Sequence, residues 1–337
     1  MKILIDAFGG DNSPQQIIEG TIKALNQRSD FTAVLVGDQE IIKDNLASLV
    51  YDKDRVEILH ASQVITCEEE PTVAVRTKPD SSICVAFKAL KTEDQYDAFV
   101  SAGSTGAVLV GATLRLGRIA GVNRPALCPI LPTLDDNKNV LLMDSGANAD
   151  CKAINLCQFA IMGTAYAKSM GVKEPKVALL SNGTEDEKGN ALNHEVFPLL
   201  KQMQSINFIG NIEARDILSG KADVIVTDGF SGNIALKSIE GAVKMLFKAI
   251  KQGIYSTTSG KIGGLFLKKT FGKLKDKLDY NNKGGALFLG VNKAVIKAHG
   301  SSDADAFKNA VLQAVDFAQR DICNKIKEQL DSQAIGE

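Results

Sequence analysis

The sequence predicts a three-layer α/β/α fold around a largely parallel central sheet. Three observations carry that reading. Short runs of Val, Ile and Leu alternate with amphipathic helical stretches, most runs lack polar alternation, and many empty into glycine-rich turns. The predicted strands are residues 2–6, 32–36, 56–60, 98–101, 140–144, 176–181, 207–210 and 224–228. Strands this apolar are buried on both faces, so helices must cover both sides of the sheet.

Helices fill the intervals. The first, over residues 14–26, carries start signals: Ser13 as the cap, Pro14 at the first helical position and Gln16 closing a capping box. Others are predicted at 81–90, 107–116, 154–169 and 304–329. No fixed-period repeat or low-complexity linker divides the chain, so residues 1–337 read as a single α/β/α domain. The one shift in composition, a Gly-, Ser- and Lys-rich stretch at 254–283, is read as a protruding amphipathic segment.

Composition narrows the function classes. A chain of 337 residues with 45% hydrophobic and 23% charged residues buries a large core. The net charge of −1 leaves no global field to recruit nucleic acid or anionic lipid, so any attraction must be local. Six cysteines without a C-x-x-C pair read as reduced, mostly buried thiols. The three histidines have no metal spacing, and no metal or cofactor is expected. The N-terminal stretch is unlike a signal peptide and no run of about 18 apolar residues occurs, so a cytoplasmic location is expected.

Ligands of open parallel sheets sit at the carboxyl ends of the strands. The turns there hold Gly9, Gly10 and Asp11; Gly103, Ser104, Thr105 and Gly106; Asp144 and Asn148; Lys188 and Asn190; and Asp228, Ser231, Gly232 and Asn233. Glycines admit close backbone approach, and the second and last of these turns open directly into helices, whose first amides suit an anion. An ordinary cap explains any one of them alone, but five at one sheet end point to a shared cleft. Arg76 and Lys78, just ahead of Ser81 and Ser82, form either a further phosphate site or a solvated loop with a serine cap. Arg115 and Arg118, three residues apart, read as surface salt-bridging residues. The dinucleotide fingerprint, the Walker loop and the nucleophile elbow are all missing.

Read in order, these turns resemble the phosphate acyltransferase family of bacterial phospholipid synthesis. The segments are 6–11, 101–107, 144–152, 158–163, 185–190, 210–217, 227–233, 284–292 and 299–302. The chain departs from the family pattern at Ser104, where Asn is usual, and at Ala214, where Gly is usual. The resemblance implies a fold similar to phosphotransacetylases and isocitrate dehydrogenase-like proteins. It also implies a homodimer, and a reaction moving a fatty acyl group from acyl carrier protein to inorganic phosphate, giving acyl phosphate. On that basis Lys188 and the amides of 104–106 are expected to serve the developing charges, with Asn148, Asn190 and Asn233 as neutral donors. Asp6, Asp11, Asp144 and Asp228 would orient the turns, since a free carboxylate repels phosphate. Lys188 also fits a solvated loop lysine beside Glu185 and Glu187.

Residues 261–278 hold six lysines and one acid, with Leu267, Phe271, Leu274 and Leu278 at helical spacing and Ile262, Leu265 and Phe266 extending the apolar face. Lys268 and Lys269 flank it. Such a helix lies on anionic lipid without spanning it. It equally fits packing on a partner subunit or docking of acidic acyl carrier protein. The resemblance implies peripheral membrane contact. Two other functions stay open: a non-catalytic membrane-surface scaffold and an isocitrate-type dehydrogenase.

Overall fold

The computed structural model describes residues 1–135, 138–278 and 284–332, without the side chains of residues 275 and 276. Residues 279–283, the end of the predicted protruding segment, lie outside the described residues.

The architecture is α/β/α, with two mixed sheets in place of the single one expected. The first holds β3 (Val56–His60), β2 (Thr32–Gly37), β1 (Lys2–Asp6), β4 (Tyr96–Ser101), β12 (Ala294–Lys297), β11 (Ala286–Leu289) and β5 (Ala126–Cys128), in that order. The second holds β6 (Ile130–Pro132), β7 (Asn139–Met143), β10 (Val224–Val226), β8 (Lys176–Ser181) and β9 (Asn207–Glu213). β3, β2, β1, β4 and β12 run parallel, as do β7, β10, β8 and β9, while β11, β5 and β6 pair antiparallel to their neighbours.

Residues 126–132 join the sheets. They give one short edge strand to each, separated only by Pro129, whose ring has no N–H for a ladder. The Leu142 amide donates to the Pro129 carbonyl at 3.3 Å and the Ser145 amide to the Leu127 carbonyl at 3.0 Å. One apolar core then runs under both sheets. It combines Ile3 and Ile5 with Leu141, Met143, Val177 and Val224, beneath helices α1 (Gln15–Gln27), α6 (Ala153–Ser169) and α10 (Ala304–Gln319).

Several expectations are corrected. Ser13 does not cap α1: its hydroxyl donates to the carbonyls of Phe8 and Gly10, and Pro14 stands at the N-cap. Gln16 looks away as well, accepting from the Ala304 amide at the start of α10. The terminal helix is two, α10 and α11 (Ile322–Asp331), because Asp321 turns left-handed at φ 51°. The predicted helix at 107–116 is α5 (Thr105–Gly111) running into a wider helical turn over Ala112–Leu116. Arg115 and Arg118 donate to the main-chain carbonyls of Val75 and Asn123 in place of surface ion pairs.

The segment after β10 forms a long helical hairpin. Helix α8 (Gly229–Tyr255) buries only Gly229, Gly232, Leu236 and Glu240, so its distal half stands clear of the sheets beside α9 (Thr258–Leu278). The start of α8 is held by a close approach. A methyl group on Gly232 would fall far inside van der Waals contact with the Asp144 carbonyl oxygen, whereas one on Gly253, in the distal half, meets nothing within 4 Å. Gly232→Ala should therefore cost roughly 2–3 kcal/mol through overpacking. Gly253→Ala should stabilise by about 0.5–1 kcal/mol, as an alanine in an exposed helix interior does. Urea denaturation of the two variants checks both signs.

Candidate active site

Each sheet ends in a buried aspartate that organises its turns. At the end of β1, Asp6 accepts from the Ser101 hydroxyl at 2.6 Å and the Phe8 amide at 3.3 Å, and Ser101 in turn accepts from the Gly103 amide at 3.0 Å. Gly9 is required here, because a Cβ would stand 2.6 Å from the Gly103 nitrogen and 2.9 Å from the Ser101 hydroxyl. Asp11 ties this turn to the end of β12, donating its amide to the Gly300 carbonyl at 2.8 Å, while Gly10 packs against Ala102 and Gly300 with φ 96°. Burial pushes the Asp6 carboxyl up; the Ser101 and Ser82 hydroxyls pull it back.

After β7, Asp144 accepts four bonds, from the amides of Leu127 (2.9 Å), Ala147 (3.2 Å) and Asn148 (2.7 Å) and from the Asn148 side-chain amide (2.9 Å). Burial raises this carboxyl too, against those donors. The Asn148 side-chain nitrogen also donates to the Pro125 carbonyl at 2.7 Å, so its donors are spent on the fold. That removes Asn148 as a neutral donor to substrate.

Between the two sets of turns lies a cleft of about 330 Å³. Its walls come from Thr105 after β4, Ser145 and Gly146 after β7, Asn233, Leu236, Lys237 and Glu240 on α8, and residues 284–286 and 297–300 around β11 and β12. Lys237 is paired with Glu240 at 3.0 Å. Lys297 is 8% exposed, and its ammonium donates to the carbonyls of Ala102 and Ala298. Burial lowers its pKa to about 8. The His299 ring accepts the Ser301 amide at Nδ1 (3.2 Å), which places its remaining proton on Nε2. Burial and the neighbouring Lys237 lower the His299 pKa.

Thr105 and Asn233 thus line the cleft together; Gly9, Gly10, Asp11 and Gly103 do not line it, and of these Gly10 and Asp11 pack against Gly300, which does. Other predicted residues serve the fold or lie elsewhere. Ser104 caps α5 by accepting from the Ala107 amide, and Gly106 packs its open face on Pro71. Asp228 closes the start of α8, accepting from both the amide (2.7 Å) and the hydroxyl (2.9 Å) of Ser231, so that helix end already carries an anion. Lys78 is paired with Glu69 at 2.7 Å and donates to the Val64 carbonyl, Ser81 caps α4 (Ser82–Thr92), and Arg76 is exposed. In the predicted phosphate site at residues 76–82, Lys78 and Ser81 are thus engaged within the fold, while Arg76 faces solvent.

Lys188 and Asn190 are also outside the cleft. Lys188 is exposed and folds over Gly183, while Asn190 caps α7 (Ala191–Gln202) by accepting from the Asn193 amide at 3.0 Å. Asn190 lines a second, more apolar groove of about 770 Å³ on the far side of α8, with Ser231, Ile234, Ile239 and Ile217. Sequence reasoning missed Lys237 and Lys297. The signal for Lys297 was a lone cation ending the apolar run Ala294–Lys297, since a lysine there must be buried with its strand.

On the hairpin, Phe266 (83%) and Leu265 (74%) are the most exposed apolar residues, with Ile262 beside them on one face and Lys268 and Lys269 following. Phe271, expected on that surface, is half-buried. Lys277 reaches back to the Leu134 carbonyl. No described helix is long and apolar enough to cross a membrane.

Known proteins match this fold and chain. A phosphotransacetylase from Streptococcus pyogenes superposes with a TM-score of 0.61 at 17% identity, covering 95% of this chain and 94% of its own. A branched-chain phosphotransacylase from Enterococcus faecalis V583 gives 0.57 at 15%, covering 96% and 99%. These likenesses establish the fold. In sequence, phosphate acyltransferases from Clostridium novyi and Lactiplantibacillus plantarum are 46% and 45% identical, each over 99% of this chain and over 100% and 95% of their own lengths. The family model described as "Fatty acid synthesis protein" matches residues 1–325. With its fold, cleft and full-length relatives in agreement, the chain belongs to the phosphate acyltransferase family and is an acyltransferase.

Proposed function

We propose that this protein transfers a fatty acyl group from the thioester of acyl carrier protein to inorganic phosphate. The observation that carries the reading is the cleft where the strand-end turns of both sheets meet, lined by Thr105, Asn233, two lysines, Leu127 and Leu236. In the reaction a phosphate oxygen attacks the thioester carbonyl, a C–O bond forms, the C–S bond breaks, and the carrier's thiolate leaves to take a proton. Phosphate is already an anion at neutral pH, and a thiolate leaves readily because the thiol pKa is only about 8.5. The protein then has to position phosphate, exclude water and stabilise the tetrahedral oxyanion, steps worth several kcal/mol each. His299, donating from Nε2, and the Thr105 hydroxyl are the neutral donors of the cleft that suit the oxyanion. No cofactor enters this chemistry.

The hairpin supports the rest of the reading. Its exposed face of Ile262, Leu265 and Phe266, beside Lys268 and Lys269, suits the surface of an anionic membrane, where an acyl phosphate product belongs. The protein acts as a homodimer in this reading. Its acidic partner is the carrier protein.

Purified protein given acyl carrier protein thioester and phosphate should form acyl phosphate, trapped as hydroxamate by hydroxylamine. Product that forms equally without phosphate, or no product from folded protein, would sink the assignment. Vesicles containing phosphatidylglycerol should float the protein, and Leu265→Asp with Phe266→Asp should abolish flotation while the protein stays folded. Unchanged flotation of that double variant would remove the hairpin from the membrane.

A further inference from the structure

We propose that Lys297 is the residue that holds the attacking phosphate in the cleft. The inference rests on the phosphate-transfer reading above and names the group that carries it. Four observations lead to Lys297. It ends β12, a strand whose four residues are all buried, so the backbone fixes where its side chain starts. Its ammonium is pinned by two main-chain carbonyls, of Ala102 after β4 and Ala298 after β12, and an ammonium has three N–H donors, leaving one for a ligand. Among the described residues it has no carboxylate within ion-pair distance, although Asp6 and Asp11 act on it through space. Finally, it lines the cleft itself.

A buried charge held only by neutral carbonyls is under-compensated, and an anion entering the cleft supplies what is missing. The other cleft lysine does not offer this, because Lys237 already carries Glu240 on the same helix face. Phosphate bound at Lys297 would sit in the cleft that Thr105, His299, Leu127 and Leu236 also line.

The charged neighbours fix the pH behaviour. Asp6 on β1, Asp11 in the following turn and Cys67 in the loop before α3 (Pro71–Thr77) favour the ammonium, whereas burial and Lys237 on α8 disfavour it. His299 stands two residues further along the chain, and Glu240 offsets Lys237. The net effect is a pKa of about 8, so the anchor is charged below that pH and lost as pH rises through it. Bound phosphate favours the ammonium and moves its titration upward. kcat/KM for phosphate should therefore fall above pH of about 8, and the matching limb in kcat should lie at higher pH.

The experiment measures binding and turnover separately. Isothermal titration calorimetry with inorganic phosphate alone should show binding to the wild-type protein and a roughly ten- to hundredfold weaker affinity in Lys297→Met, the loss of one charge-assisted bond. KM for phosphate in the hydroxamate assay should rise by a similar factor, more than kcat falls. Lys297→Arg, which keeps the charge at all working pH values, should retain phosphate binding and lose the alkaline limb of kcat/KM. Wild-type phosphate affinity in Lys297→Met, or an alkaline limb unchanged in Lys297→Arg, would overturn the proposal. Phosphate binding that depends on Lys297 without any acyl phosphate formed would support the anchor and defeat the acyl-transfer reading, so the two failures are distinct.

Discussion

The carboxylate of Asp144 fastens this structure. It gathers N–H groups from Leu127 on the edge strand of the first sheet and from Ala147 and Asn148 after β7 of the second. A single buried anion thus spans the joint between sheets. Burying a carboxylate is costly unless its lone pairs are filled, and four donors fill these. The start of α8 then closes over the same turn, because Gly229 donates to the Asn148 carbonyl at 2.8 Å and only glycine fits at position 232 against Asp144. The position of α8, one wall of the cleft, follows from that contact.

Asp6 plays the corresponding part in the first sheet, and the two sites show how buried carboxylates can stand behind a cleft without facing it. Each carboxylate is turned inward onto amides or hydroxyls of its own turns. Burial raises both carboxyls, and the hydroxyl and amide donors of their own turns oppose that rise. Asp228 is spent in the same manner on Ser231. The aspartates hold the turns behind the cleft, and Lys297, which lines it, is bonded among the described residues to neutral carbonyls only.

Much of this fold was legible in the sequence because most of its parallel strands are rich in β-branched and aliphatic residues. The strands at 126–132 were not: they are three residues each, separated by Pro129, and their pairing depends on two sheets already in place. The division into two sheets was invisible for the same reason. The family was readable from the ordered turns, yet the roles within those turns were not. Asn148 and Ser104 look like ligand donors in a motif, but whether an amide or hydroxyl is free depends on which backbone groups the fold leaves unpaired. Lys188 sits in a conspicuous polar loop and folds outward over Gly183. Lys297 sits in an inconspicuous apolar run and is carried inward with its strand. Burial, set by neighbours distant in sequence, separates the two.

One helix links the chemistry to the surface on the proposed reading. Asn233, Leu236, Lys237 and Glu240 of α8 line the cleft, while its far end at Tyr255 meets the hairpin turn next to the exposed Ile262, Leu265 and Phe266. From position 233 to 255 is 22 residues, and at 1.5 Å per residue that is about 33 Å. An exposed distal half would gain nothing from apolar residues unless something apolar covers them, since Met245, Leu246 and Tyr255 are exposed there as well. On that reading, α8, rooted at the Asp144 joint, would set the distance between the cleft and the surface its tip engages. An acyl phosphate carries an apolar chain and a charged head, so it passes poorly through bulk water. A fixed short separation between the site of its formation and a lipid surface is the geometry such a product requires.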